Sequence, residues 1–339
     1  MKKRDRIASA IAGAPVDRVP VSAWGHFFLD EVDPTRFADR MVSFQQEFDW
    51  DFLKVHARAS YHVEPFGFRY EPSRSMDKGH TLAHTPIRTP EDWLSLRPVP
   101  SNALTFEEQL AALAMMRRQL PDDVPIIMTV FTPLDIAEKM LDRNPAQLMD
   151  HIKTAPEAVD HALSVFAETL SAFVARLVEF GVDGIFFSTK WANGGKLASQ
   201  QYRDLCLSHD LHMMAPAASL PFNILHVCEN EVLLDTFADY PVSVMHWDDN
   251  ATHNPDLSAG RTMTGLGVAG GVNPATLAKD AASEVTAKGA RTIIANKGTG
   301  MILAPGCSVQ IAATSKENLQ ALRAAPEHAA RQLETSGAL

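Results

Sequence analysis

Along the chain, short apolar runs alternate with longer stretches in which apolar positions recur at helical spacing, a rhythm that predicts strands alternating with helices. The runs are Val19–Trp24, Asp51–His56, Ile126–Phe131, Gly184–Ser188, Phe222–Val227, Ser243–Trp247 and Met263–Val268, with either Arg291–Ala295 or Met301–Ala304 as the last. Eight strands of this kind close a parallel barrel. The expected fold is therefore α/β, a single (β/α)₈ TIM barrel over residues 1–339.

Helix boundaries carry their own signals. Thr132-Pro133-Leu134-Asp135 places a hydroxyl at an N-cap, proline at the first helical position and a carboxylate in the first turn. Asn144-Pro145 and Asn273-Pro274 repeat the pattern without the acid. From Leu163 to Val178 the positions Leu163, Phe166, Leu170, Phe173, Val174, Leu177 and Val178 form one apolar stripe, and Gly181 supplies the stop. Thr314-Ser315-Lys316-Glu317 opens a last helix that Pro326 is expected to interrupt or end. Pro65–Pro100 breaks the rhythm with six prolines and reads as an extended insertion after the second strand, on the catalytic rim, or else as a surface hairpin.

Composition narrows the function. With 31 Lys and Arg against 41 Asp and Glu, the formal net charge is −10, which disfavours a nucleic-acid groove and leaves a small-molecule substrate or a protein as the expected partner. No apolar run is long enough to cross a membrane and no apolar stretch follows the basic start, so a cytoplasmic protein is expected. Three cysteines, Cys206, Cys228 and Cys307, are too scattered for a disulfide framework. Cys206, among Leu205, Leu207 and Leu211 of a predicted helix, reads as core packing.

The other two cysteines bear on chemistry. His226-Val227-Cys228 ends the fifth predicted strand, and Cys307 follows 79 residues later in Ala304-Pro305-Gly306-Cys307-Ser308. Residues two apart in a strand face one side, and a barrel brings its last strand end to the same rim. One imidazole and two thiolates suit zinc, with a fourth position left for substrate. An H-x-C triplet with a distant cysteine is equally compatible with buried packing, and spacing leaves both readings open.

From Glu179 onward the chain resembles the uroporphyrinogen decarboxylase superfamily. The resemblance rests on Gly181-Val182-Asp183-Gly184-Ile185-Phe186-Phe187-Ser188, His226-Val227-Cys228, Gly271-Val272-Asn273-Pro274 and Ala304-Pro305-Gly306-Cys307, followed by Ser315-Lys316-Glu317-Asn318-Leu319. Asp17-Arg18-Val19-Pro20 and Phe131-Thr132-Pro133 extend it over most of the chain. The porphyrinogen decarboxylases carry a histidine where this chain has Cys307, and paired arginines after the first strand where it has none before Arg36. A polyanionic porphyrinogen would thus lack its clamps. The zinc-dependent branch, similar to corrinoid-dependent thiol methyltransferases, has H-x-C and a later Cys, as does the C-terminal barrel of cobalamin-independent methionine synthase.

The resemblance implies zinc on His226, Cys228 and Cys307, and methyl transfer between a thiol or small methylated substrate and either a corrinoid or methyltetrahydrofolate. No cobalamin domain is evident, so a corrinoid would arrive on a separate carrier protein. Barrels of this group often pair as homodimers. His246 and Asp248 are candidate catalytic groups, as a fourth ligand or as partners orienting His226. Lys54 is a third, able to bind a substrate carboxylate or to pair with Glu64 or Asp30. Trp24, His26, Ser188 and Thr132 are candidate substrate contacts on the rim. The competing reading is a cofactor-free lyase acting on a non-porphyrin carboxylic acid through Lys54, His246 and Asp248.

Overall fold

The computed structural model describes residues 1–336. Helices α1 (Lys3–Ile11) and α2 (Pro34–Phe48) precede strand β1 (Leu53–Val55), and a small antiparallel hairpin follows, β2 (Arg69–Glu71) with β3 (Thr81–His84). Then come α3 (Leu104–Gln119), β4 (Ile126–Phe131), α4 (Pro133–Met140), α5 (Pro145–Thr154), α6 (Pro156–Phe180) and β5 (Gly184–Thr189). The remainder is α7 (Ser199–Met214), β6 (Ile224–Val227), β7 (Val244–His246), α8 (Leu257–Thr264), β8 (Gly267–Val272), α9 (Pro274–Lys279), α10 (Ala282–Ala295), β9 (Met301–Pro305) and α11 (Lys316–Ser336).

Seven strands form one sheet in the order β1-β4-β5-β6-β7-β8-β9, every pairing parallel. This is an α/β fold with a curved parallel sheet of the TIM-barrel type. The first predicted strand, Val19–Trp24, makes only an isolated bridge, Val21 to Leu303 of β9. Its other flank is tied by Asp51 N–H donating to the Val21 carbonyl and the Ser22 hydroxyl donating to the Phe52 carbonyl. Pro20, within the segment, removes a ladder donor, in keeping with so short a ladder.

Other expectations shift for identifiable reasons. The predicted strand Met263–Val268 lies later, at Gly267–Val272, because Met263 belongs to α8 and the glycine-rich strand offers few side chains to mark it. Arg291–Ala295 lies within α10, so Met301–Pro305 is the strand. Helix α11 runs through Pro326 instead of stopping there. Its packing along α10, with buried Leu322, Ala325 and Ala329, outweighs the one missing hydrogen bond. Where the signals were local they were followed: α6 ends at Gly181 in the left-handed conformation, and Asn144 and Asn273 accept N-cap hydrogen bonds.

Period-two alternation gives the sheet two faces. The outer face packs on the helices. The inner face begins with an apolar floor of Trp24, Phe52, Ile127, Phe186, Ile224, Val244, Ala269 and Ile302. One pleat step further along the strands, the inward positions become Lys54, Ser188, His226 and His246, with Ser188, His226 and His246 in one register row. A dry floor under a polar row marks the strands' C-terminal ends as the mouth where chemistry is possible.

A candidate metal centre at the strand ends

The row is extended by the segments just beyond β6 and β9. Cys228 follows Val227, its N–H donating to the Thr189 carbonyl, while Cys307 sits on a turn whose Gly306 N–H donates to the Val272 carbonyl. A Cβ at Gly306 would lie 2.5 Å from the Asp248 Cα, so only glycine lets this turn close against the β7 loop. Both anchors are backbone contacts to neighbouring strands.

The result brings three donors together. Cys228 and Cys307 sulfurs are 3.9 Å apart, Cys307 Sγ lies 3.8 Å from His226 Nε2, and ligand atoms of all three residues fall within 4.8 Å of one another. A tetrahedral zinc with ordinary bond lengths separates two sulfurs by about 3.8 Å and a sulfur from a nitrogen by about 3.6 Å. The spacing therefore fits zinc with little movement. In addition, His226 Nδ1 is buried without a hydrogen-bond partner among the described residues. The two thiols also differ in acidity. Cys307 is held well below the ordinary thiol range by the Cys228 S–H and the His226 imidazole, while Cys228, which gives that hydrogen bond, is pushed correspondingly up.

His246 is outside this ligand group. Its Nε2–H donates to the Pro305 carbonyl at 2.8 Å, and its ring packs against that of His226 at 4.6 Å between centroids. It braces the Cys307 turn and the His226 ring by contact, and its own Nδ1, like that of His226, is buried without a hydrogen-bond partner among the described residues. Burial drives its pKa far below the ordinary histidine value, so it stays neutral. Asp248 is also outside the group. Half-buried, it caps Asn250 N–H, and burial raises its pKa.

Lys54 pairs with neither Glu64 nor Asp30, which are taken by Arg58 and Arg40. Instead its ammonium lies 2.5 Å from His56 Nδ1 and 4.3 Å from the Phe186 ring centroid, only 2 % exposed. Burial pushes both Lys54 and His56 down, and the Lys54 charge lowers His56 further, so the pair does not hold two charges at neutral pH. The Cys307 charge favours keeping the proton on Lys54.

The four predicted substrate contacts separate. Trp24 is 2 % exposed and stands edge-on to Phe186 and His246, as part of the floor. Ser188 is registered beside His226. Thr132 is fully buried, its hydroxyl donating to Asp135, and so is shielded from a substrate. His26 lies on the rim, with its N–H donating to Glu31 at 2.9 Å and its ring edge-on to His56 at 4.2 Å. Glu31, the hairpin residue His80 and Lys139 also border the rim cavity and were not signalled by the sequence, since none stands at a predicted strand end.

The family model described as uroporphyrinogen decarboxylase (URO-D) matches residues 2–328. A uroporphyrinogen decarboxylase of Mycobacterium sp. (strain KMS) is 28% identical over 214 residues, covering 59% of this chain and 57% of that protein. One from Mycobacterium bovis (strain BCG / Pasteur 1173P2) is 29% identical over 143 residues, 41% of this chain and 38% of its own. The alignments thus span little more than half the length of these relatives at most. Among solved structures, a methyltransferase from Methanosarcina mazei superposes with TM-score 0.79 at 19% identity, covering 97% of this chain and 99% of its own. A B12-independent methionine synthase from Shewanella sp. W3-18-1 gives 0.58 at 15% identity, covering 96% of each. At these identities the likeness is one of fold.

Proposed function

Because the chain belongs to the uroporphyrinogen decarboxylase (URO-D) family, we propose that it works at the barrel mouth as a zinc-dependent methyltransferase. It would move a methyl group between a corrinoid, or methyltetrahydrofolate, and a thiol or small methylated substrate. The observation that carries this reading is the convergence of His226, Cys228 and Cys307 donor atoms within 4.8 Å. The reading takes residues 1–339 as one (β/α)₈ barrel, with segment 19–24, bonded on both flanks, as the member that closes it. The superposed methyltransferase supports the same reaction class.

His226, Cys228 and Cys307 would hold the metal, which when bound lowers the pKa of a substrate thiol while leaving its sulfur nucleophilic. The chain's own residues then set the conditions. Trp24, Phe186 and the neutral His246 keep the floor dry and fix the His226 ring. Pro305, bonded to His246, holds the turn that presents Cys307. Lys54, buried against Phe186 and bonded to His56 Nδ1, would sit near Cys307, whose charge favours its protonated form. A corrinoid donor would come on a separate carrier protein, and the chain is free to act as a homodimer.

Elemental analysis of the purified chain tests this. About one zinc per chain is expected, lost in Cys228→Ser, Cys307→Ser and His226→Ala together with methyl transfer from methylcobalamin to thiols. Adding a thiol should shift the zinc X-ray absorption toward more sulfur. Metal-free wild type that remains active rejects the mechanism. Such a result, with release of carbon dioxide, would favour the cofactor-free lyase, in which the buried Lys54 would supply the electrostatic contact.

A further inference from the structure

Beside the mouth, the β2–β3 hairpin roofs a cavity of about 200 Å³ whose walls include His26, Glu31, His80, Lys139 and Arg143. The roof is held by a carboxylate between two imidazoles: Glu31 is 2.9 Å from His26 Nδ1 and 2.9 Å from His80 Nε2. The first is a hydrogen bond and the second an ion-pair contact, and the two imidazoles hold the Glu31 pKa below the ordinary value despite burial. The carboxylate is thus turned toward His26 and His80.

Lys139 is in a different position. It is 9 % exposed, its ammonium stands 3.8 Å from the Phe131 ring centroid, and among the described residues no carboxylate lies within ion-pair distance of it. The two nearest acids along α4 are engaged elsewhere, Asp135 by the Thr132 hydroxyl and the Lys190 N–H, Glu138 by the Lys190 ammonium at 2.5 Å. Burial pushes Lys139 down to about 8, with the Asp135 charge opposing, so it remains cationic at neutral pH. A buried ammonium has three N–H donors and is costly unless they are used. Arg143 brings a second, exposed cation to the same wall, on a left-handed backbone (φ 60°). Asp142, also on the wall, is exposed like Arg143, so solvent screens both of these opposite charges and Lys139 is the buried one.

We propose that this cavity is a subsite for the anionic end of the substrate, a carboxylate, sulfonate or phosphate that takes Lys139 as its buried partner and Arg143 as its outer one. His26 links the cavity to the mouth, since it lines the one and touches His56 of the other. An acidic substrate extending past His26 would place its far end at the reacting centre. The inference names the substrate as an acid and rests on the methyl-transfer reading only for which atoms react.

The test is equilibrium binding of propionate, methanesulfonate and methyl phosphate to the full-length protein, with propionamide as the neutral control. Saturable binding of at least one anion, and none of propionamide, is expected. Lys139→Gln should weaken it at least about tenfold, as loss of a charge-assisted hydrogen bond does, Lys139→Arg should restore most of it, and the exposed Arg143→Gln should weaken it a few-fold. The anion bound tightest names the headgroup. Cys307→Ser should bind the anions like wild type, which separates this subsite from the metal centre: wild type that binds the anions but purifies without zinc, and takes none up, rejects the metal reading alone. Equal binding by wild type and Lys139→Gln, or loss of binding in Cys307→Ser, overturns the subsite.

Discussion

Asp210 allows a quantitative test of how this fold handles a buried acid. It is fully buried in α7, with Oδ2 accepting hydrogen bonds from the Tyr202 hydroxyl at 2.8 Å and the Tyr240 hydroxyl at 2.6 Å, while Oδ1 has no partner. Burial raises its pKa from 3.8 to about 7 against the pull of the two tyrosines. A folded pKa above the unfolded one means that the native protein keeps a proton which the unfolded chain releases, so stability falls as pH rises through this window. The full difference is about 4 kcal/mol, of which about 3 kcal/mol lies between about pH 5 and pH 8. That is a sizeable share of the roughly 5–15 kcal/mol that keeps a domain folded.

Asp210→Asn removes the titration and keeps an oxygen for both tyrosines. Urea unfolding of both proteins across that range should show wild type losing about 3 kcal/mol more than the variant as pH rises. Infrared spectra of the native protein should contain a protonated-carboxyl stretch below neutrality that the variant lacks. Parallel pH profiles for the two proteins would refute the argument, because they would mean that the carboxyl is ionised in the native state throughout.

Two further outcomes follow from the same structure. Asp51, fully buried, accepts from Arg6 at 2.7 Å, from Arg18 at 2.6 Å and from the Val21 N–H at 2.8 Å, so Asp51→Asn leaves two guanidinium groups short of a partner. It should cost about 3–5 kcal/mol in urea unfolding and speed amide exchange across residues 19–24; unchanged exchange there would count against Asp51 as the anchor of that segment. A Cβ at Gly260 would meet Trp247 Cη2 at 2.2 Å, so Gly260→Ala must displace the indole that donates to the Pro255 carbonyl. A loss of about 1–3 kcal/mol with a red-shifted tryptophan emission is expected, and an unaltered melting temperature would show that the packing gives way freely.

How far the sequence reached depended on whether a signal was local. The stripe from Leu163 to Val178 and its glycine stop marked α6, and apolar runs marked β4 and β5 nearly to the residue. Strand β8 was displaced because glycines carry no periodicity, and Val19–Trp24 looked like a full strand although its ladder is a single bridge. The insertion after β1 was visible from its prolines. A hairpin was one of the two forms its sequence allowed; that the hairpin delivers His80 to Glu31 was not visible, because the contact joins residues far apart in the chain.

The sequence by itself determined the donor chemistry: a histidine and a cysteine two residues apart near a strand end, and a second cysteine after a later one. The order of the strands decided the rest. Only the curved parallel sheet brings the end of β9 within reach of those of β6 and β7 at the mouth, so that Cys307 meets His226 and Cys228, and only there does His246 turn to the Pro305 carbonyl. The reason is physical. Backbone hydrogen bonding and side-chain alternation are written over a few residues, whereas the partner of a buried polar group is whichever group packing brings near it, and burial then sets which of the two carries the charge.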